Sequence, residues 1–138
     1  MIYDFDEADP ALTLLPMAAR RALDASGWKL TLAGYQSLPH AERLALVEAG
    51  AAAQVDPTRV LAILVGATPA ATAQPPVHES SDLPAALTAA LGARRALSLA
   101  RWQRLTALDR YVLVKLQGRG RQERLERAFD EIVRLRTL

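Results

Sequence analysis

The residues of this chain that could do chemistry are charged pairs rather than nucleophiles or metal ligands. Glu42-Arg43 and Asp109-Arg110 recur at matched positions. Each acid stands near the start of an expected helix, where negative charge is favoured. Such pairs can form an ion-pair pocket across a pseudo-symmetry axis. Their plainer role is helix capping with a solvated or interhelical salt bridge. The histidines are His40, near a helix start, and His78, in a linker. Neither belongs to a His-x-x-His or Glu-x-x-His pair. There are no cysteines, which removes disulfides, thiolate nucleophiles and thiolate metal sites together. Zinc usually draws on Cys and His together, so no metal is expected. No Gly-x-Ser-x-Gly or Ser-His-Asp set is suggested by spacing. Gly118-Arg119-Gly120 lacks the third glycine and the strand–loop–helix setting of a phosphate cradle. With no catalytic constellation visible, the chain reads as a binding protein and not an enzyme.

Charge supplies the sharpest feature of function. The net charge is only +2. Residues 1–92 hold 5 basic and 10 acidic side chains, net −5, and residues 93–138 hold 12 and 5, net +7. Arg94, Arg95, Arg101, Arg104, Arg119, Arg121, Arg124 and Arg127 surround Trp102. Arginines with an interleaved aromatic are the footprint of a nucleic-acid binder, which would show a contiguous basic face. Against this, arginine outnumbers lysine 15 to 2 over the whole chain, so compositional bias explains much of it. The plainer reading pairs acidic and basic halves within the fold or across a homo-oligomer. A scaffold would instead expose an apolar patch on the last helix, through Phe129 and Ile132.

The elements that must position these residues are helices. The 138 residues are 51% hydrophobic and rich in Ala, Leu and Arg, which favours an all-α domain with a real core. Pro16 opens a helix to about Ser26, and Gly27 stops it. Thr31 caps a short helical turn through Ser37. Pro39 opens a second main helix that Gly50 closes. Asp56-Pro57 starts a helix through Val65. Val60 to Val65 are apolar all round, so that helix is expected to be central. Residues 67–79 carry three prolines and read as a flexible, exposed linker. Ser81-Asp82 caps a helix through Leu91, and Ala93 to about Arg104 is helical. Thr106 to Asp109 is a capping box opening the next helix. The last helix is amphipathic, with Leu125, Phe129, Ile132 and Val133 on one face. The expectation is a bundle of about seven or eight helices with essentially no sheet. No stretch approaches the roughly 20 apolar residues of a membrane span. The acidic start from Met1 is unlike a secretory leader, so a cytoplasmic location is expected.

One pattern occurs twice. Tyr35-Gln36, Leu38, Glu42-Arg43 and Leu46-Val47 align with Trp102-Gln103, Leu105, Asp109-Arg110 and Leu113-Val114. Ala-Arg-Arg-Ala-Leu stands upstream of each, at residues 19–23 and 93–97. This points to a pseudo-duplicated helix-turn-helix unit, two related halves of a single domain spanning residues 1–138.

The string Pro16-Met17-x-x-Arg20-x-x-Leu23-Asp24-x-x-Gly27-x-Lys29-Leu30 resembles the bacterial nitrate reductase-associated protein family. The resemblance continues through Tyr35-Gln36-x-Leu38 and Glu42-Arg43. It resumes at Trp102-x-x-Leu105-Thr106-x-x-x-Arg110-x-x-Leu113-x-Lys115-Leu116, and Tyr3-Asp4-Phe5-Asp6 also fits. It implies a small accessory protein of assimilatory nitrate reduction. Its partner would be the reductase, a maturation factor or a small anion. Members carry Cys before the Pro-Met step and near the glycine, where this chain has Leu15 and Ser26. A thiolate-held cofactor is therefore not implied. The motif sets charge beside apolar residues at Arg20, Asp24, Lys29, Arg43, Trp102, Arg110 and Lys115. Arginine and lysine there can hold an oxyanion through charge-assisted hydrogen bonds. Taken singly, each has the plainer role of bracing a helix junction.

Overall fold

Alanines and a glycine, not large side chains, decide how the first helices meet. In the computed structural model, which describes residues 2–138, α1 (Met17–Ser26) presents Ala18, Ala19 and Ala22 fully buried. Against it lies α3 (His40–Ala51), where a Cβ on Gly50 would run into the Ala18 carbonyl. Gly50 was expected to close α3. It lies inside the helix instead, and its missing side chain permits the close approach.

Eight helices and one two-stranded sheet are described. They fall into two compact units. The first runs from Asp6 to Glu79. Pro16 precedes α1 without a side-chain cap, and Asp6 fills that role, its Oδ1 accepting from the Met17 N–H at 3.1 Å. Gly27 ends α1 in the left-handed conformation, at φ 78°. Thr31 caps α2 (Leu32–Ser37) by accepting from the Gly34 N–H. Asp56 caps α4 (Pro57–Leu64), with Pro57 in its first turn. The α4 helix is not buried all round. Val60, Ile63 and Leu64 face the core, whereas Leu61 is 47% and Val65 80% exposed. A helix with neighbours on one side buries one stripe, whatever its composition.

The segment expected to be a free linker is tied to this unit. Thr72–Ala73 (β2) pairs antiparallel with Trp28–Lys29 (β1), setting Trp28 opposite Ala73 and Lys29 opposite Thr72. The Gln74 N–H donates to the Gly27 carbonyl and the Val77 N–H to the Asp24 carbonyl. Proline-rich sequence cannot build a long ladder. A two-residue bridge and flanking bonds suffice to hold it, with most of its side chains exposed.

The second unit comprises Ser80–Leu138 with Tyr3–Phe5. Helix α5 (Ala85–Leu91) begins three residues after Asp82. Pro84 precedes it without a side-chain cap, and Gly92 follows at φ 71°. Residues 93–98 form a turn and irregular backbone, not the expected helix. Ser98 supplies the reason: it caps α6 (Leu99–Arg104) by accepting from the Arg101 N–H. Thr106 and Asp109 form the expected capping box at the start of α7 (Ala107–Gly118). Helix α8 (Gln122–Arg136) packs on α7 and α5. It buries Leu125, Phe129 and Ile132, so the exposed apolar patch considered for the last two is not there.

The two matched segments share a local pattern. Each is a six-residue helix, an extended residue (Leu38 or Leu105) and a twelve-residue helix starting two positions later. Tyr35 and Trp102 are buried at equivalent places. Upstream the likeness ends, since residues 19–23 are helical and residues 93–97 are not. A duplication of whole halves is therefore not shown.

Gly50→Ala is expected to lower unfolding free energy by at least about 2 kcal/mol, because a methyl group there overpacks the α1–α3 contact. Urea denaturation of the two proteins measures it.

Candidate functional site

Among the described residues three charged side chains are buried: Arg21, Asp109 and Glu131. Each is held by groups far away in sequence. Arg21 is only 1% exposed. Its Nη1 donates to the carbonyls of Gly50 (2.8 Å) and Ala52, and its Nη2 to that of Ala53 (3.1 Å). Gly50 lies in the last turn of α3, and Ala52 and Ala53 follow directly, at the helix end where a cation and its donors are favoured. Its Nε and Nη2 also grip the Glu79 carboxylate, at 2.9 and 3.0 Å.

In the second unit, Asp109 Oδ2 accepts from Arg136 Nε at 2.7 Å, and Oδ1 from the Tyr3 hydroxyl at 2.6 Å. Burial works against the charged carboxylate. The Arg136 hydrogen bond, the Tyr3 hydroxyl and the Thr106 N–H outweigh it and hold Asp109 below its ordinary range. Asp109 in turn raises Arg136. Glu131 accepts from the backbone N–H groups of Asp4 (2.8 Å) and Phe5 (3.0 Å). Arg124 donates to the Phe5 carbonyl at 3.1 Å. The Tyr3 and Phe5 rings stack 5.1 Å apart. The acidic, aromatic start of the chain is thus a strap pinned into the second unit.

The seven expected site residues divide between the units. Arg20 and Asp24 lie half-buried on α1, Lys29 is exposed on β1, and Arg43 is half-buried on α3. Trp102 is buried on α6, while Arg110 and Lys115 are half-buried on α7. Trp102 and Arg110 are brought together. The guanidinium carbon stands 5.9 Å from the indole centroid, and Nη1 reaches the Trp102 carbonyl at 3.4 Å. The indole N–H is occupied by the Ser81 carbonyl at 2.8 Å, so Trp102 is packed in place.

Arg43 stands in a different setting. It belongs to a cluster on α2 and α3 that clasps the loop at residues 9–13. His40 Nε2 lies 2.9 Å from the Pro10 carbonyl, and Gln36 Nε2 donates to the Thr13 carbonyl at 3.1 Å. Arg43 Nη1 donates to the Leu12 carbonyl at 3.4 Å. Asp9 accepts from the Thr13 N–H and hydroxyl, which hold its carboxyl below the usual range. Leu12 is buried at φ 55°, a left-handed conformation that costs a branched residue free energy. On α2, Tyr35 is 0% exposed and its hydroxyl has no hydrogen-bond partner among the described residues. Burial pushes that phenol up to about 12.

The basic stretch is not one free cationic face. Arg95 pairs with Asp130 at 3.0 Å and Glu126 at 3.2 Å, and the Asp130 hydrogen bond raises it further. Arg101 donates to the Ala96 carbonyl and Arg124 to the Phe5 carbonyl. Arg94, Arg104, Arg119, Arg121 and Arg127 are exposed. Among the described residues no group of three or more His, Asp or Glu could hold a metal ion. None of the described helices is long and apolar enough to cross a membrane.

Arg21, Glu131 and Tyr3 are the structural groups that residue types did not single out. For Arg21 a signal existed: it lies four residues after Met17 and three after Ala18, on the buried face of α1. Glu131 and Tyr3 act across more than 100 residues, and no local pattern marks that.

A family model described as conserved nitrate reductase-associated protein matches residues 2–132. No curated protein and no solved structure matches the chain.

Asp109→Asn is expected to cost about 3 kcal/mol at pH 7, since Arg136 loses its buried counter-charge. The folded-state pKa of Asp109 is lowered, so its contribution is full above the ordinary value of 3.8 and fades as pH falls through the lower, folded one. The stability gap between wild type and variant should therefore narrow on going from pH 5 to pH 3. Urea denaturation at both pH values measures it.

Proposed function

Because the chain belongs to the conserved nitrate reductase-associated protein family, we propose that it is a small accessory protein of assimilatory nitrate reduction, acting by binding and not by catalysis. The observation that carries this reading is the family match over residues 2–132, which reaches both units. The binding mode is contact with the reductase or a maturation factor, or capture of a small anion. A cytoplasmic location goes with such a role. The placement of the charged groups supports binding over catalysis. Arg21, Asp109 and Glu131 spend their hydrogen-bonding capacity on distant segments of their own chain. Groups held in this way serve rigidity, and a rigid surface suits recognition of a preformed partner.

The test is capture from lysate of the host grown on nitrate, at low and at raised salt. The expected result is recovery of reductase subunits or their maturation factors at both salts. Nucleic acid that elutes as salt rises would replace this reading with one based on the exposed arginines of the second unit.

A further inference from the structure

The strap at the start of the chain is held by one unit and continues into the other. Tyr3–Phe5 belong to the second unit, and the chain passes to the first at Asp6. The socket that holds the strap lies on α7 and α8. Tyr3 and Phe5 are only 1% and 2% exposed in it. Asp109 accepts from the Tyr3 hydroxyl at 2.6 Å. Glu131 accepts from the Asp4 and Phe5 N–H groups, one on each carboxylate oxygen. Arg124 donates to the Phe5 carbonyl. These contacts read the strap's own side chains and backbone, not the covalent path that leads away from it. Along that path Asp6 accepts from the Met17 N–H at 3.1 Å, and His40 holds the Pro10 carbonyl at 2.9 Å. Glu7 stands between these two anchors at φ 53°, a left-handed conformation that is unfavourable for any residue but glycine. A chain that fills its own socket is therefore strained at Glu7.

We propose that the socket on α7 and α8 is an interaction surface for the Tyr3–Phe5 strap of a second copy of this chain. Exchange keeps the strap contacts, because the incoming segment is identical. It lets Glu7 leave the left-handed region, and a short hinge under strain favours swapping for that reason. It gives up the Asp6 bond to the Met17 N–H. The tethered strap competes at an effective concentration of roughly millimolar, so exchange grows with protein concentration. Reciprocal exchange closes a symmetric pair. Such pairing needs no reductase, so failed capture leaves it standing, and its own failure leaves capture standing.

The experiment uses thiols introduced into the full chain, which has no cysteine of its own. Asp4 and Arg134 are exposed, and their side chains lie 3.9 Å apart with the strap seated. One copy carries Asp4→Cys and another Arg134→Cys. The two are refolded together at roughly millimolar concentration and treated with a short bis-maleimide. A strap seated in the other copy's socket joins the two chains covalently. Chance collision is gauged by replacing the second copy with Arg119→Cys, exposed just before α8, whose opposite end carries Arg134. The mixed pair should form in about tenfold greater yield than this reference. Glu7→Gly in both copies should lower the yield, since glycine takes φ 53° without strain. Glu7→Pro should raise it, since the proline ring excludes that angle. A yield equal to the reference with Glu7 intact would overturn the exchange, whatever Glu7→Pro does. A higher yield that Glu7→Gly leaves unchanged would mark side-by-side contact and overturn it as well.

Discussion

A guanidinium that gives up its water must find its partners inside the protein, and the first unit is arranged around meeting that demand for Arg21. Its Nη1 satisfies the Gly50 and Ala52 carbonyls at the end of α3, where carbonyls run out of partners within their own helix. Its charge is met by Glu79, at the end of the proline-rich segment. One side chain on α1 therefore fixes where α3 ends and where residues 74–79 return. The small residues of α1 and Gly50 let the helices approach closely enough for Arg21 to reach. Packing and polar satisfaction are here one constraint.

The second unit meets the same demand with the opposite sign. Asp109 and Glu131 are buried carboxylates; the first residues of the chain answer both, and Arg136 answers Asp109 as well. Asp109 shows how one residue serves two levels. Its Oδ2 closes the capping box with the Thr106 N–H, and the same carboxylate holds Arg136 and Tyr3. A cap that was only local would tolerate loss at about 1 kcal/mol. A buried ion pair does not.

What was legible in the sequence was local. The caps at Thr31, Asp56 and Thr106 and the stop at Gly27 need only a few neighbouring residues, and each stands where its chemistry places it. What was not legible depends on partners. Gly50 reads as a helix stop until Ala18 is known to face it. Residues 93–98 have helical composition but yield to a cap at Ser98. Val65 reads as core until α4 is seen to have neighbours on one side. Of the candidate site, Arg43 was visible as a charge in a motif. Its shortage of partners was not, because that is a property of everything around it. Tyr35 was visible as part of the repeat and of the family motif, but not as a buried hydroxyl.

Arg21, Asp109 and Glu131 each answer a buried charge with groups from distant segments of the chain. In the first unit this requires Arg21 to be a clamp coupled to Glu79, not two residues that happen to lie close. A double-mutant cycle with Arg21→Met and Glu79→Gln, measured by urea denaturation at pH 7, tests it most directly. The account predicts a coupling of about 2 kcal/mol, with the double variant losing less than the sum of the single ones. Additivity within about 0.5 kcal/mol would contradict it.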